Sequence, residues 1–159
     1  MSPSLSDWPG PDYEVRVSIR APMAFVHRWC TDYSPDDPKI EGEKYVRRVL
    51  KRTARRVVYE DLWESKKGWF WTRYTVDLKP PSSWHMESQG NSSHLIGDYS
   101  LNPGPNETTE FHLRYRRKAS ILPFQKVAVR RRRVEDTRAW HRFARALEAD
   151  YRRSLRSAG

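Results

Sequence analysis

The sequence predicts an α+β domain in which seven antiparallel strands are followed by one long C-terminal helix. Residues 13–20 alternate apolar and polar side chains, which is the pattern of a strand with one buried face. Six further strand-like runs lie between residues 44 and 118, at the short and regular spacing of an antiparallel meander. The last segment repeats apolar residues at helical spacing. This order of elements is more typical of a protein that binds a ligand against its sheet than of an enzyme.

The first strand passes directly into a short helix. Its apolar side chains must face the core, because charged or polar residues alternate with them. Pro22 suits the first turn of a helix, where no N–H is needed, and the helix then has one apolar face. A polar break at residues 35–43 leaves room for a second short helix. The core-facing residues of the strand are Tyr13, Val15, Val17 and Ile19, and those of the first helix are Phe25, Val26 and Trp29.

Turn residues separate the six later strands. Both faces of one strand carry aromatic residues, since Tyr74 points inward while Trp69 and Trp71 point outward. These two tryptophans are therefore either partly exposed or covered, for instance by a second subunit in a homodimer. The last strand alternates cleanly, with Thr109, Phe111, Leu113 and Tyr115 directed inward. The six predicted strands span residues 44–52, 55–64, 69–78, 84–89, 93–101 and 107–118.

The terminal helix has one apolar face and several arginine-rich faces. Its pattern allows a start near Pro123 or only near Glu135. Four successive arginines, Arg130–Arg133, would repel one another on a helix, so we expect a bend or an irregular start there. The residues of the apolar face are Trp140, Phe143, Ala144, Leu147, Tyr151 and Leu155.

Charge is distributed unevenly along the chain. Residues 116–159 contain 14 basic and 4 acidic residues, so this segment carries the whole net charge of +10. Such a segment attracts nucleic acid, anionic lipid or an acidic partner, or it is simply a solvated helix face. Residues 1–12 predict a flexible lead-in to a single domain at residues 13–157. The lone Cys30 and the lack of an apolar signal segment indicate a cytoplasmic protein.

No motif of a known catalytic or cofactor site occurs in the sequence. A Gly-rich phosphate loop, a Gly-x-Ser-x-Gly elbow, a His-Glu-x-x-His helix and a Cys-x-x-Cys pair are all absent. His27 and Cys30 lie three residues apart on the first helix, but two metal ligands without visible partners favour ordinary packing. The sequence therefore predicts no cofactor, no metal and no particular catalytic residue.

The chain resembles the START-like superfamily, also called helix-grip, SRPBCC, polyketide cyclase-like or birch-pollen-allergen-like proteins. The opening strand with Pro22, Trp29 and Asp32 carries the resemblance at the start. Residues 97–109 carry it further on, where a glycine, a strand, a turn and two threonines follow one another. The resemblance covers residues 13–156 and implies a curved sheet wrapped around the C-terminal helix, with a cavity between them. Members include lipid carriers, quinone-binding proteins, polyketide cyclases, hormone receptors and chaperone cofactors, so the fold leaves the function open.

Such a cavity would be lined by the inner sheet face and the terminal helix. Buried tyrosine hydroxyls there need a partner, which is a ligand, the backbone or water. Glu60 and Asp61 are adjacent on a strand, so one of them points inward, where burial raises its pKa or an arginine pairs with it. A filled core without a cavity is the alternative. The predicted lining residues are Val17, Tyr74, Val76, Tyr99, Phe111, Leu113, Tyr115, Trp140, Phe143 and Leu147.

Three functions fit these observations. The first is non-catalytic binding of a small hydrophobic or amphipathic molecule, such as a lipid, a quinone or a polyketide-like compound. The second is a cyclase or dehydratase on the same scaffold, with an inward tyrosine, carboxylate or histidine as acid or base. The third is an interaction module, and without a recognised motif nucleic acid is disfavoured as its partner. It would dock on an anionic membrane surface or an acidic partner through Arg130, Arg131, Arg132 and Arg133.

Overall fold

The computed structural model describes residues 3–8, 12–66, 68–91, 93–119 and 129–159. A short 3-10 turn, Leu5–Asp7, precedes the domain. The predicted strands are present, and their ends agree with the sequence-based ranges to within two residues. In chain order the elements are β1 (Tyr13–Ile19), α1 (Met23–Cys30), α2 (Asp37–Glu41), β2 (Val46–Arg52), β3 (Arg56–Ser65), β4 (Gly68–Lys79), β5 (Ser83–Gly90), β6 (Ser93–Pro103), β7 (Thr109–Ala119) and α3 (Val129–Ser157).

The strands form one antiparallel sheet of seven strands in the order β1-β7-β6-β5-β4-β3-β2. Strands β2 to β7 follow the chain as a meander, whereas β1 lies beside the last strand and places Val17 opposite Phe111. The two open edges of the sheet are therefore β1 and β2. Helix α3 packs on the inner face, chiefly against β1. This arrangement confirms the predicted helix-grip fold, with two short helices between the first two strands.

Alternation along the strands decides which residues enter the core. On β1 every second residue is buried, and on β7 the predicted inward residues are buried as well. The Thr109 hydroxyl donates to the Ala21 carbonyl oxygen at 2.7 Å, which satisfies a buried polar group where the chain leaves β1. On the outer face Trp69 and Trp71 are 58% and 43% exposed, which confirms that they point away from the core. A covering second subunit remains a prediction.

Polar contacts hold the N-terminal segment and α1 in place. Leu5 is buried, and the Arg116 guanidinium donates to the Asp12 carboxylate and to the Trp8 carbonyl oxygen. The bond from Arg116 lowers the pKa of Asp12. The Trp29 indole Nε1 donates to Asp150 Oδ2 at 2.7 Å, which ties α1 to the terminal helix.

The expected irregular start at Arg130–Arg133 is wrong, because α3 is helical from Val129 onward. The charges are accommodated in part by partners: Arg131 Nε pairs with Glu135 Oε1 at 3.0 Å, and Arg133 Nη2 donates to the Asp12 carbonyl oxygen at 2.6 Å. Solvent screens the rest of the repulsion. A start near residue 123 lies outside the described residues. In the described ranges, no helix is long and apolar enough to cross a membrane.

Candidate functional site

A cavity of about 1020 Å³ lies between the inner face of the sheet and the helices. Aromatic rings from β3 to β6 form one wall, and Trp140 and Phe143 of α3 form the other. Helix α2 and the segment that follows it, through Tyr45, close one end. A volume of this size is in the range of sites that enclose a drug-sized molecule. The space between the sheet and the helix is therefore a half-open cavity, and this part of the interior is not solidly packed.

The predicted lining residues divide into two groups. Tyr74, Tyr99, Trp140 and Phe143 line the cavity. The division has a simple cause: α3 lies directly on β1 and keeps that part of the inner face dry, while the cavity opens over β3 to β6. The roles of these four lining residues in binding remain predictions. The remaining six belong to the hydrophobic core, namely Val17, Val76, Phe111, Leu113, Tyr115 and Leu147.

Three tyrosine rings stack in series along the cavity wall. Tyr33 stacks on Tyr59 with ring centroids 4.4 Å apart, and Tyr59 stacks on Tyr74 at 4.7 Å. Tyr33 follows α1 and has a φ of 48°, a left-handed conformation that bulky residues rarely adopt. Burial raises the pKa of Tyr74 to about 12 and raises those of Tyr33 and Tyr59 as well. All three phenols therefore stay protonated and are able to donate a hydrogen bond.

A buried arginine cluster occupies the α2 end of the cavity. The Arg47 guanidinium donates to both oxygens of Asp61 at 2.8 Å and to the Tyr45 hydroxyl at 3.2 Å, and it also pairs with Asp37. Its Cζ lies 4.5 Å from the centroid of the Tyr59 ring. Asp61 is thus the inward carboxylate of the predicted pair and is held by an arginine. Glu60 lies on the outer face and pairs with other arginines.

Carboxylates outnumber cations in this cluster. Burial raises the pKa of Asp37 to about 7 although Arg47 lowers it. Burial also raises the pKa of Glu41 and of Asp61, in both cases against the effect of the same guanidinium. One buried arginine thus pairs with two carboxyl groups, Asp37 and Asp61, and its charge also acts on a third, Glu41. The α2 end of the cavity is acidic, although the chain as a whole is strongly basic.

Four buried polar atoms in the cavity wall have no hydrogen-bond partner among the described residues. Native structures leave few such atoms, because each costs free energy when it is buried away from water. Three are donors or can donate, and one is a carboxylate oxygen. The residues that carry these atoms line the cavity. The four atoms are the Tyr33 hydroxyl, Trp84 Nε1, Arg117 Nε and Asp136 Oδ2.

The Asp136 carboxyl is costly to ionise in the fold. Burial raises its pKa from 3.8 to about 7, so the folded state holds a proton that the unfolded state has already lost. Stability is therefore lost as pH rises from about 4 to about 7.

We expect Asp136→Asn to raise the free energy of unfolding near pH 8 by roughly 1–2 kcal/mol, after allowance for solvent screening. The gain should shrink towards pH 4, where the parent carboxyl is protonated. Urea denaturation at several pH values measures it. Glu135→Gln, at an exposed neighbouring position, serves as the control and should show no such trend. A gain that did not change with pH would contradict this assignment.

His27 and Cys30 of α1, which were weighed as metal ligands from their sequence spacing, pack against neighbouring side chains. His27 Nε2 lies 3.1 Å from the Ser83 carbonyl oxygen, and its ring meets Trp84 edge-on. Burial lowers the pKa of His27 and raises that of Cys30, which keeps both side chains neutral. No cluster of three or more metal-binding side chains occurs in the part of the chain that the structure describes.

No protein-family model and no curated protein sequence matches this chain. Solved structures do match its fold. The protein TTHA0849 from Thermus thermophilus has a TM-score of 0.68 and 15% identity, and the match covers 91% of this chain and 99% of that one. The Zhui aromatase/cyclase from Streptomyces sp. R1128 has a TM-score of 0.65 and 15% identity, over 94% and 98% of the two chains.

A START superfamily protein from Mycobacterium smegmatis has a TM-score of 0.63 and 14% identity, over 91% of this chain and 99% of that one. Identities this low show the fold and nothing finer. The chain therefore has a START-like, SRPBCC-type fold, as the sequence resemblance implied.

Proposed function

We propose that this protein binds a small amphipathic molecule in the cavity between its sheet and α3. The observation that carries the proposal is a cavity of about 1020 Å³ whose wall holds both stacked aromatic rings and unpartnered buried polar atoms. Aromatic surface favours flat apolar groups, and the polar atoms orient and select them. The START-like fold supports this reading, because it is a scaffold with a cavity at this place.

The wall favours an oxygenated ring system over a plain aliphatic chain. Trp84 Nε1 and Arg117 Nε are donors, so they require acceptor oxygens on the ligand. An aliphatic chain would leave both donors unsatisfied at a cost of about 1–3 kcal/mol each. The Trp84 and Tyr99 rings stack 4.7 Å apart and present a flat surface beside them. A quinone or polyketide-like compound satisfies both requirements.

A fluorescent aromatic alcohol tests the proposal. We expect anthracenemethanol to bind at about one molecule per chain, because the cavity is of ligand size. Ala139→Trp should weaken this binding, since Ala139 lines the cavity on α3 and an indole there would occupy part of the space beside the aromatic wall. Ser154→Trp adds the same chromophore at an exposed position of the same helix and should bind like the parent. Binding that Ala139→Trp left intact would sink the proposal.

A cyclase or dehydratase activity is the second candidate, favoured by one observation. Asp136 lines the cavity, has an unpartnered oxygen and has a pKa of about 7, which suits a group that gives and takes protons at neutral pH. One protein of similar fold is an aromatase/cyclase. A dehydratase would return a bound oxygenated compound lighter by one water, and a cyclase would return an isomer of equal mass that chromatography separates. Asp136→Asn would return the compound unchanged.

Docking through the basic segment has less support. Arg131 and Arg133 already pair with Glu135 and with the Asp12 carbonyl group, so part of their charge serves the fold. The side chains of Arg130 and Arg132 lie outside the described residues. Docking on an anionic membrane or an acidic partner remains a prediction. So does a homodimer that forms through Trp69 and Trp71.

A further inference from the structure

The α2 end of the cavity carries more negative than positive charge. Asp37 and Glu41 come from α2, Asp61 comes from β3, and the guanidinium of Arg47 is the cation that faces all three. Four of the five N–H donors of that guanidinium are used, two by Asp61 and one each by Asp37 and Tyr45. It therefore has little capacity left for an anionic group of a ligand.

Further cations surround this end, since Lys44, Arg138 and Arg142 line the same cavity, but among the described residues Arg47 is the only one that forms an ion pair with Asp37, and Glu41 forms none. Arg52 of β2 donates to the backbone carbonyl groups of Thr31 and Asp32, and Arg142 of α3 donates to the backbone carbonyl of Glu41. Asp32 and Glu43 add further negative charge near the same site. A ligand cation would thus relieve repulsion that the protein itself leaves in place.

Tyr33 provides an independent sign that a ligand belongs at this end. Its side chain lines the cavity, the residue is 6% exposed, and its hydroxyl has no partner among the described residues. Its ring centroid lies 5.8 Å from Arg47 Cζ, so the hydroxyl belongs to the same end of the cavity. A phenol oxygen accepts a hydrogen bond from an ammonium group, and phenol rings attract cations through their faces.

We propose that the α2 end of the cavity receives a positively charged amino group of the ligand, held by Asp37, Glu41 and the Tyr33 hydroxyl. This inference rests on the proposed function. It specifies the ligand as a molecule with an aromatic ring system and a protonated amino group. The ring system would lie among the aromatic side chains, with oxygen substituents towards Trp84 and Arg117. The amine would face α2, where it balances charge that Arg47 leaves uncompensated.

Three probes with one ring system test the inference: anthracenemethylamine, anthracenemethanol and anthracenecarboxylic acid. We expect the amine to bind about tenfold more tightly than the alcohol, and the acid more weakly than both, because a close ion pair in a partly buried site contributes on this scale. Calorimetric titration of the full-length protein near pH 8 measures all three. Affinity for the amine should fall as the pH drops through about 7 and Asp37 takes up a proton.

Paired variants separate this inference from the proposed function. Asp37→Asn with Glu41→Gln should remove the preference for the amine while leaving the affinity for the alcohol unchanged. Glu107→Gln removes an exposed negative charge that does not line the cavity and should keep the preference. Failure of all three probes to bind would overturn the proposed function. Binding of the alcohol with no preference for the amine, or a preference that the double variant retained, would overturn only the amine site.

Discussion

Replacing Arg47 with alanine is expected to cost about 3–5 kcal/mol in the free energy of unfolding, the largest effect expected of any single substitution in this chain. The substitution leaves Asp61, which is 4% exposed, and the mostly buried Asp37 without their shared cation. A buried carboxylate that loses its partner must either stay charged in an apolar setting or take up a proton. Guanidinium denaturation near pH 8 measures the loss.

The loss should depend on pH in a defined direction. Without Arg47 the pKa values of Asp37 and Asp61 rise further above their unfolded values, so the variant loses stability as the pH rises and recovers part of it near pH 5. Arg48→Ala is the matched control, because Arg48 is the next residue of β2 and its side chain is 73% exposed. It should cost less than about 1 kcal/mol. Equal losses for Arg47→Ala and Arg48→Ala would refute a stabilising role for the buried cluster.

Deletion of residues 137–159 is expected to abolish cooperative folding. The deletion removes Ala144 and Leu147, which are 6% and 1% exposed. It also removes Trp140 and Tyr151, which pack against the core. The inner face of β1 would then be open to water, and its apolar residues would no longer offset the entropy of ordering the chain. Thermal melting followed by circular dichroism, with size-exclusion chromatography, measures the result.

A shorter deletion provides the control. Residues 156–159 are exposed, so their removal should leave the melting temperature nearly unchanged. The longer deletion should give either aggregated protein or a broad, non-cooperative transition. A monomer that kept the melting temperature of the parent would show that the sheet does not depend on α3.

The strands were predictable because their residues alternate without interruption. Ile19 and Phe111 lie on strands whose other faces carry charged or polar residues, so only one orientation buries the apolar side. Likewise Trp69 and Trp71 had to lie outside once Tyr74 and Val76 faced inward. The start of α3 was mispredicted, because the partners of Arg131 and Arg133 include Asp12, which is distant in sequence.

The site was predictable only in part, because it depends on which part of the inner sheet face is covered by α3 and which part lines the cavity. Alternation places Phe111 and Tyr99 on the same face, and both are core residues, but it does not indicate that only Tyr99 also lines the cavity. An arginine partner for the inward carboxylate was among the expectations, but Arg47 was not identified as that partner and the other members of the cluster were missed. The sequence does contain an indication of this cluster. Arg47 lies opposite Asp61 in the β2–β3 hairpin, and both residues stand at inward-facing positions of their strands. Asp37 joins the pair through a separate helix, and sequence spacing does not show that contact.

Native mass spectrometry of the protein mixed with anthracenemethanol tests the central claim most directly, because it counts molecules bound to the folded chain. We predict one bound molecule for the parent and for Ser154→Trp, and a clearly smaller bound fraction for Ala139→Trp. Solvent extraction of freshly purified parent in the same experiment identifies any compound that already occupies the cavity, and we expect a ring system that carries oxygen. A parent that bound none of the probe and carried no compound, or an Ala139→Trp variant that bound as much as the parent, would contradict the account.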